Sequence, residues 1–336
     1  MNDTFGILPK GRRNLITDVA GVSVGHCTLA HGAVQTGVTA LIPHQGDLFH
    51  DRCLAAAHVI NGFGKSMGLV QVQELGCIET PLILTNTLSA GTAYTACVRY
   101  MLERNGQIGR EESTVNPVIL ECNDGYLNDI RGLHVTEGDV RAAIDAAGEN
   151  FALGAVGAGR GMSCYQLKGG IGSASRVFEI GGQTYMLGAL VMTNFGTLVD
   201  LTIAGKPLGR SLAKTPESAK GSCIMILATD APLSSRQLAR LARRAQSGLA
   251  RTGAVTEQGS GEIALAFSTA NRIRTSETMQ SAAFLNDAGL DPVFRAGTEA
   301  AEESIIRSMQ EAETVTGRDG HVRLSLQDAL KNAGLA

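Results

Sequence analysis

With 44% apolar and 18% charged residues, this 336-residue chain has the composition of an ordinary globular protein rather than a disordered one. Its length allows one large domain or two. A net charge of −3 with no basic block argues against nucleic acid as a partner, and no apolar run approaches the roughly 18 to 20 residues of a membrane span.

Residues 14 to 43 read as short strands and turns, with alternation at Val22-Ser23-Val24 and a compact apolar run from Val38 to Ile42. Arg52 to Ile60 suits a short helix or a strand, and Asn61-Gly62-Phe63-Gly64-Lys65-Ser66 is a glycine-rich turn. Residues 66 to 75 look amphipathic and helical. Thr80 to Thr85 predicts a strand, Asn86 to Met101 a helix, and Asn116 to Glu121 a strand ended by the turn Cys122 to Tyr126. Thr136 to Ala147 predicts a helix capped by Thr136. A glycine-dense stretch, Gly154 to Gly172, leads into strand-like runs at Ala174 to Ile180, Thr184 to Asn194 and Val199 to Ile203. After the polar loop Lys206 to Gly221, the run Cys223 to Leu227 predicts a buried strand opening at Ser222 and stopped by Ala228-Thr229-Asp230-Ala231-Pro232. Leu233 to Thr252 is an amphipathic helix. Leu238, Leu241, Ala242, Ala245 and Leu249 share one face, Ser234 is the N-cap and Gly253 the C′ residue. Ile263 to Phe267 predicts a strand, Ser276 to Ala288 a helix, Asp291 to Glu313 a longer helix and Gly317 to Gly320 a sharp turn. Closely spaced short strands predict antiparallel pairing in stacked sheets. Helices segregated from strand groups predict an α+β fold rather than a doubly wound parallel sheet.

The cysteines at 27, 53, 77, 97, 122, 164 and 223 form no CxxC pair and are odd in number, so reduced, mostly buried thiols are expected. The histidines at 26, 31, 44, 50, 58, 134 and 321 show neither HxH nor HxxxH spacing, so no metal site is expected. The stretch Met1 to Val19 lacks an apolar segment of signal-peptide length, and a cytoplasmic location is expected.

Nucleotide motifs fail on spacing. Gly64-Lys65-Ser66 matches the end of a P-loop, but the position of its first glycine holds Val59. Gly157-Ala158-Gly159-Arg160-Gly161 brings the third glycine of a dinucleotide fingerprint one residue early. There is no GxSxG elbow, and the half of the chain around Ser222 carries a single histidine, His321. Ser222 therefore needs an unusual base. A serine that opens a strand after a soft loop acquires one if the loop is cut before it: the new α-amine, with a reference pKa of about 7.7 to 8.0, is partly uncharged near neutral pH. Gly221 leaves the preceding carbonyl unshielded and lets the loop adopt a strained turn. The alternative is that Ser222 simply begins a strand.

The chain resembles the self-processing aminopeptidases that include L-aminopeptidase D-amidase/D-esterase and the β-peptidyl aminopeptidases. The likeness runs nearly end to end, through GVTALIP at Gly37, ETPLILTNT at Glu79, CNDGYLNDIRG at Cys122, GMSCYQLKGGIGSASR at Gly161, NFG at Asn194, ATDAPL at Ala228 and AETVTGRDG at Ala312. It implies a single four-layer αββα domain, similar to N-terminal-nucleophile hydrolases but with its own connectivity, cut between Gly221 and Ser222 into chains 1–221 and 222–336.

It also implies roles. Ser222 is the nucleophile. Ser260 and Glu262, two apart and so on one side of a strand, orient it and handle its proton. Asn194 donates to the oxyanion and Tyr126 assists. An aminopeptidase needs an acceptor for the substrate ammonium, because an unpaired buried charge is costly. Asp124 is the first candidate and Glu121 the second, although Asp124 equally suits an Asx turn. Phe63 and Lys65 depart from the residues usual in the glycine-rich turn and line the substrate entrance. No metal or organic cofactor is implied. The implied substrate is a small peptide, amide or ester with a free amino end, β- and D-residues among the candidates, and the implied assembly is a homo-oligomer of processed heterodimers. Serine at 222 separates the chain from threonine-type relatives, the ornithine acetyltransferases and nylon-oligomer hydrolases. Acyl transfer of the ornithine-acetyltransferase type or a nylon-oligomer-type amidase activity on the same scaffold is the alternative, and a non-catalytic binding protein the alternative class.

Overall fold

A computed structural model describes residues 5–213 and 221–335. The N-terminal part runs β1 (Ser23–His31), β2 (Val34–Ile42), β3 (Asp51–Gly62), α1 (Leu69–Leu75), β4 (Cys77–Ile78), β5 (Leu82–Asn86), α2 (Ala90–Arg104), β6 (Val118–Cys122) and α3 (Glu137–Asp145). The middle part adds β7 (Ser163–Cys164), β8 (Leu167–Lys168), β9 (Gly170–Ile180), β10 (Gln183–Asn194) and the single turn α4 (Gly209–Leu212). The last part holds β11 (Gly221–Thr229), α5 (Ser235–Arg251), β12 (Ser260–Arg274), α6 (Asp291–Gln310), β13 (Val315–Thr316), β14 (Val322–Arg323) and α7 (Leu326–Asn332).

Two sheets stack. One has four strands in the order β1-β2-β5-β6, the other six in the order β4-β3-β12-β11-β10-β9. Alternating side chains on facing strands fill the space between them: Leu41, Leu82 and Leu120 from one sheet meet Leu190, Ile224 and Leu265 from the other. The outer face of the larger sheet packs Val191, Met225 and Leu227 against α5 and α6 through Leu241, Ala245 and Ile305. The outer face of the smaller sheet packs Val38, Ile83 and Ile119 against α2 and α3. The fold is therefore α+β, with four layers in the order αββα.

Pairing is mixed rather than antiparallel throughout. β5 runs parallel to β6 and β11 parallel to β12, each pair joined through a helix, α2 and α5, as a parallel crossover requires. Ser234 and Gln237 form the capping box that starts α5, and Thr136 and Asp139 the one that starts α3. Close contact fixes α6 on its sheet: a Cβ on Gly172 of β9 would lie 1.8 Å from the Ser304 carbonyl oxygen. That helix buries Glu299 and Glu303, which meet the fully buried Arg176 guanidinium at 3.3 and 2.7 Å.

One open choice is decided and two expectations change. Arg52 to Ile60 is strand, because its small residues, Ala55 to Ala57, lie against β12. Val199 to Ile203 is not a strand; Leu198–Asp200 is a 3-10 turn, and Ile203 makes only an isolated bridge to Lys206. Ser276 to Ala288 contains no helix beyond the 3-10 turn Asp287–Gly289. Met279 is 88% exposed and Phe284 is also exposed, so there is no buried face to hold a helix there. Within the polar loop before Ser222, residues 214–220 lie outside the described residues. Among the described residues no helix is long and apolar enough to cross a membrane.

Candidate active site

The end of β10 and the starts of β11 and β12 meet at one edge of the larger sheet. Asn194 pairs with Ser222 across the antiparallel ladder, Ser222 with Gly261 across the parallel one, and Gly221 with Ser260. Alternation then sorts the side chains. Ile224 and Ile226 face the other sheet, and so does Ser222, two residues before Ile224. Cys223 and Met225 face the helices. Asn194 and Ser222 accordingly line a cleft of about 840 Å³. Ser260 and Glu262 lie on the opposite side, in a chamber of only about 10 Å³ that Gly221 also borders.

The Ser222 hydroxyl is turned back and donates to the Gly221 carbonyl oxygen at 2.7 Å. Gly221 itself is strand, and residues 214–220 of the loop in which a strained turn is expected lie outside the described residues. Glycine is needed at this position because a Cβ would fall 2.0 Å from the Asn194 carbonyl oxygen and 2.7 Å from the Phe195 Cα. The Asn194 side chain is held at both ends. Its Oδ1 accepts from the Ser163 backbone N–H at 2.8 Å, and its Nδ2 donates to the Asn123 carbonyl at 2.9 Å. One further Nδ2 hydrogen is available to a ligand.

In the chamber the Ser260 hydroxyl donates to Glu262 Oε1 at 2.7 Å. Glu262 Oε2 is buried with no hydrogen-bond partner among the described residues. Burial raises the Glu262 carboxyl above the usual carboxylate range. Neither side chain touches the Ser222 hydroxyl among the described contacts; they flank Gly221, on the other face of the strand.

Glu121, at the end of β6, lines the cleft. Its carboxylate accepts from the Lys65 backbone N–H at 2.6 Å and from the Thr87 hydroxyl. The Lys65 ammonium sits 4.6 Å from the centre of the exposed Phe63 ring, and both residues line the cleft. Tyr126 lines it as well, with its ring stacked on His321 at 4.7 Å and the Arg323 guanidinium 3.6 Å from its centroid. Asp124 does not line the cleft. It is buried behind it, accepts from Asn128 Nδ2 at 3.1 Å, and its backbone carbonyl takes the Leu127 and Asn128 N–H groups, the work of a turn residue. Burial pushes its carboxyl up to about 7.

Sequence reasoning missed Ser163 and Asn123, which hold Asn194, and Arg318 and Arg323, which border the cleft. Arg318 lies in the AETVTGRDG block and Ser163 in the GMSCYQ block, so both were within segments already singled out. Among the described residues no group of three His, Cys, Asp or Glu residues could hold a metal ion.

Residues 14–323 match peptidase family S58. The chain is 38% identical to the β-peptidyl aminopeptidase BapA of Sphingosinicella microcystinivorans, over 93% of this chain and 85% of that one. It superposes on the PH0078 protein of Pyrococcus horikoshii OT3 with a TM-score of 0.96 and 52% identity, covering 99% of this chain and 96% of the other. It superposes on the L-aminopeptidase D-Ala-esterase/amidase of Ochrobactrum anthropi, described as a variant of the N-terminal-nucleophile hydrolase fold, with a TM-score of 0.90 and 37% identity over 98% of each chain. A hydrolase of the aminopeptidase and amidase type, built on that fold, is what the layers and the serine cleft define. The chain belongs to peptidase family S58.

Proposed function

We propose that the chain cuts itself before Ser222 and then uses Ser222 to release N-terminal residues from small peptides, amides or esters. The observation that carries this reading is the Ser222 hydroxyl folded onto the Gly221 carbonyl at 2.7 Å, at the floor of a cleft that Asn194 also lines. In the first step Oγ adds to the Gly221 carbonyl carbon. The amide nitrogen leaves with a proton, and water splits the ester, giving a Gly221 carboxylate and a Ser222 α-amine.

That amine is the base for turnover. The peptide nitrogen it derives from adjoins Gly221, on whose side of the strand Ser260 and Glu262 stand, so they hold the amine while the hydroxyl faces the cleft. Ser222 Oγ attacks the substrate carbonyl and passes its proton to the amine. Asn194 Nδ2, with Tyr126 beside it, stabilises the oxyanion. The amine returns the proton to the leaving group, and water then releases the acyl group from Ser222. Glu121, which lines the cleft, takes the substrate ammonium in preference to Asp124, which does not.

The relatives' names support acyl groups of the β-, D- and L-types. We also read the protein as a cytoplasmic enzyme that assembles several processed pairs, which light scattering on the cleaved protein tests. Denaturing mass spectrometry of active enzyme should show fragments 1–221 and 222–336. Ser222→Ala should remain one chain and be inactive; an intact, fully active wild-type chain would end this reading.

A further inference from the structure

The glycine-rich turn after β3 ties two parts of the cleft together. β3 ends at Gly62, which pairs with Gly261, and Gly261 pairs with Ser222. The turn folds back over this pairing. A Cβ on Gly261 would lie 2.5 Å from the Phe63 carbonyl oxygen, and one on Gly64 would lie 3.8 Å from the Gly261 Cα and 3.3 Å from Glu121 Oε1. The next N–H, that of Lys65, donates to Glu121 Oε1 at 2.6 Å. The turn therefore reaches from the strand beside Ser222 to Glu121. A substrate residue with its ammonium on Glu121 and its carbonyl at Ser222 lies alongside it.

Phe63 and Lys65 are the side chains this turn gives to the cleft lining. The Phe63 ring is exposed, and the Lys65 ammonium rests 4.6 Å from its centre, a cation held on a ring face. Lys65 forms no ion pair among the described residues. Glu121 is the one acidic side chain lining the cleft among them, and its carboxylate is engaged by the Lys65 N–H and the Thr87 hydroxyl. A fixed cation next to an ammonium acceptor repels a residue that brings only positive charge. A residue that brings a carboxylate together with its ammonium satisfies both groups.

We propose that Lys65, held on Phe63, selects substrates whose released residue carries a carboxylate close to its ammonium: aspartyl residues, linked through the α- or the β-carbonyl. In the β-linkage the two charged groups share one carbon, and in the α-linkage they stand on neighbouring carbons. This rests on the reading of Ser222 and Glu121 above and narrows its substrate class.

The test compares para-nitroanilides of aspartate in both linkages with the same compounds bearing a carboxamide in place of the free carboxylate, alongside L-, D- and β-alanyl para-nitroanilides. Wild-type kcat/KM should favour acid over amide by roughly threefold to tenfold in at least one linkage, the scale of a partly shielded ion pair, and the favoured linkage identifies the residue selected. Lys65→Met should bring that ratio to about unity, Lys65→Arg should keep most of it, and Lys65→Glu should invert it. Phe63→Leu removes the ring but not the charge and should lower the ratio in part. The substitutions at Lys65 retain the backbone N–H on Glu121, and a general disturbance of the turn lowers acid and amide together without moving the ratio. A wild-type ratio near unity in both linkages, or a ratio that survives Lys65→Met, overturns the selection, while cleavage of the alanyl compounds leaves the Ser222 reading standing. A wild-type enzyme inactive on every one of these compounds overturns both.

Discussion

Gly221 approaches Asn194 so closely that a methyl group on Gly221 would lie 2.0 Å from the Asn194 carbonyl oxygen. The residue before the proposed cut and the proposed oxyanion donor are thus packed backbone to backbone. Gly221→Ala should push β11 away from β10, cost about 1–3 kcal/mol as overpacking does, and slow self-cleavage. A gel time course of the fragments and a thermal melt read both effects. Wild-type cleavage with an unchanged Tm would show that the strands give way without cost.

Asn194→Ala removes the donor and releases the Ser163 N–H that the Asn194 oxygen engages. In protein that has been processed, kcat should fall by roughly 10²–10³ with a much smaller change in KM, the usual loss for one oxyanion donor. A change confined to KM would place Asn194 in ground-state binding instead.

Glu262→Gln tests the amine. An ionised carboxylate beside an ammonium raises its pKa, so neutralising position 262 should move the acidic limb of the kcat/KM profile to lower pH, by about one unit at most, while lowering the plateau. A limb that stays in place would disconnect Glu262 from the base.

Asp124 gives a stability prediction. Burial raises its folded pKa to about 7 from an ordinary 3.8. A raised carboxyl pKa means that the folded state holds a proton that the unfolded state has lost. Its stabilising contribution is complete below the unfolded pKa and is lost as pH rises through the folded one. Asp124→Asn should therefore be near neutral at acid pH and stabilising by an amount of order 1–4 kcal/mol at pH 8. Melts across that range decide; a variant weaker at pH 8 than at pH 5 would mean that the native carboxylate is ionised and paired.

Lys168 is fully buried, and its ammonium donates to the carbonyls of Gly159, Met162 and Gly169 at 2.7 to 2.9 Å. These bonds brace the segment containing Ser163. Lys168→Met leaves buried acceptors unpaired and should cost at least about 3 kcal/mol by urea unfolding; a loss under about 1 kcal/mol would mean that the loop holds itself.

The strands that carry the site were legible because their apolar runs are long and bounded by turn residues, as at Thr184 to Asn194 and Ser222 to Leu227. Which face each side chain takes was not. Ser260 and Glu262 share a side of β12, as their spacing requires, but the pairing of Gly221 with Ser260 puts that side opposite the Ser222 hydroxyl. Register is a relation between distant segments and leaves no local mark. Glu121 and Asp124 were indistinguishable for the same reason: both are buried acidic residues at one strand end, and only packing decides which borders the cleft. Arg318 and Arg323 arrive from the far end of the chain, on a turn tied to Tyr126 by stacking and by backbone bonds. The absent helix at Ser276 to Ala288 shows the reverse case, a local preference with nothing to pack against.

The strand order β3-β12-β11-β10 has a further consequence for a molecule cut before Ser222. β11 and β12 belong to the later fragment, and the strands hydrogen-bonded on either side of them, β3 and β10, belong to the earlier one. The two pieces are interleaved, so neither can leave without tearing the sheet on both sides. Once they part, the covalent link that brought them together is gone, and reassembly becomes a bimolecular search between incomplete sheets. The mature enzyme's durability is accordingly a lifetime, set by how fast it opens, rather than a balance it can restore.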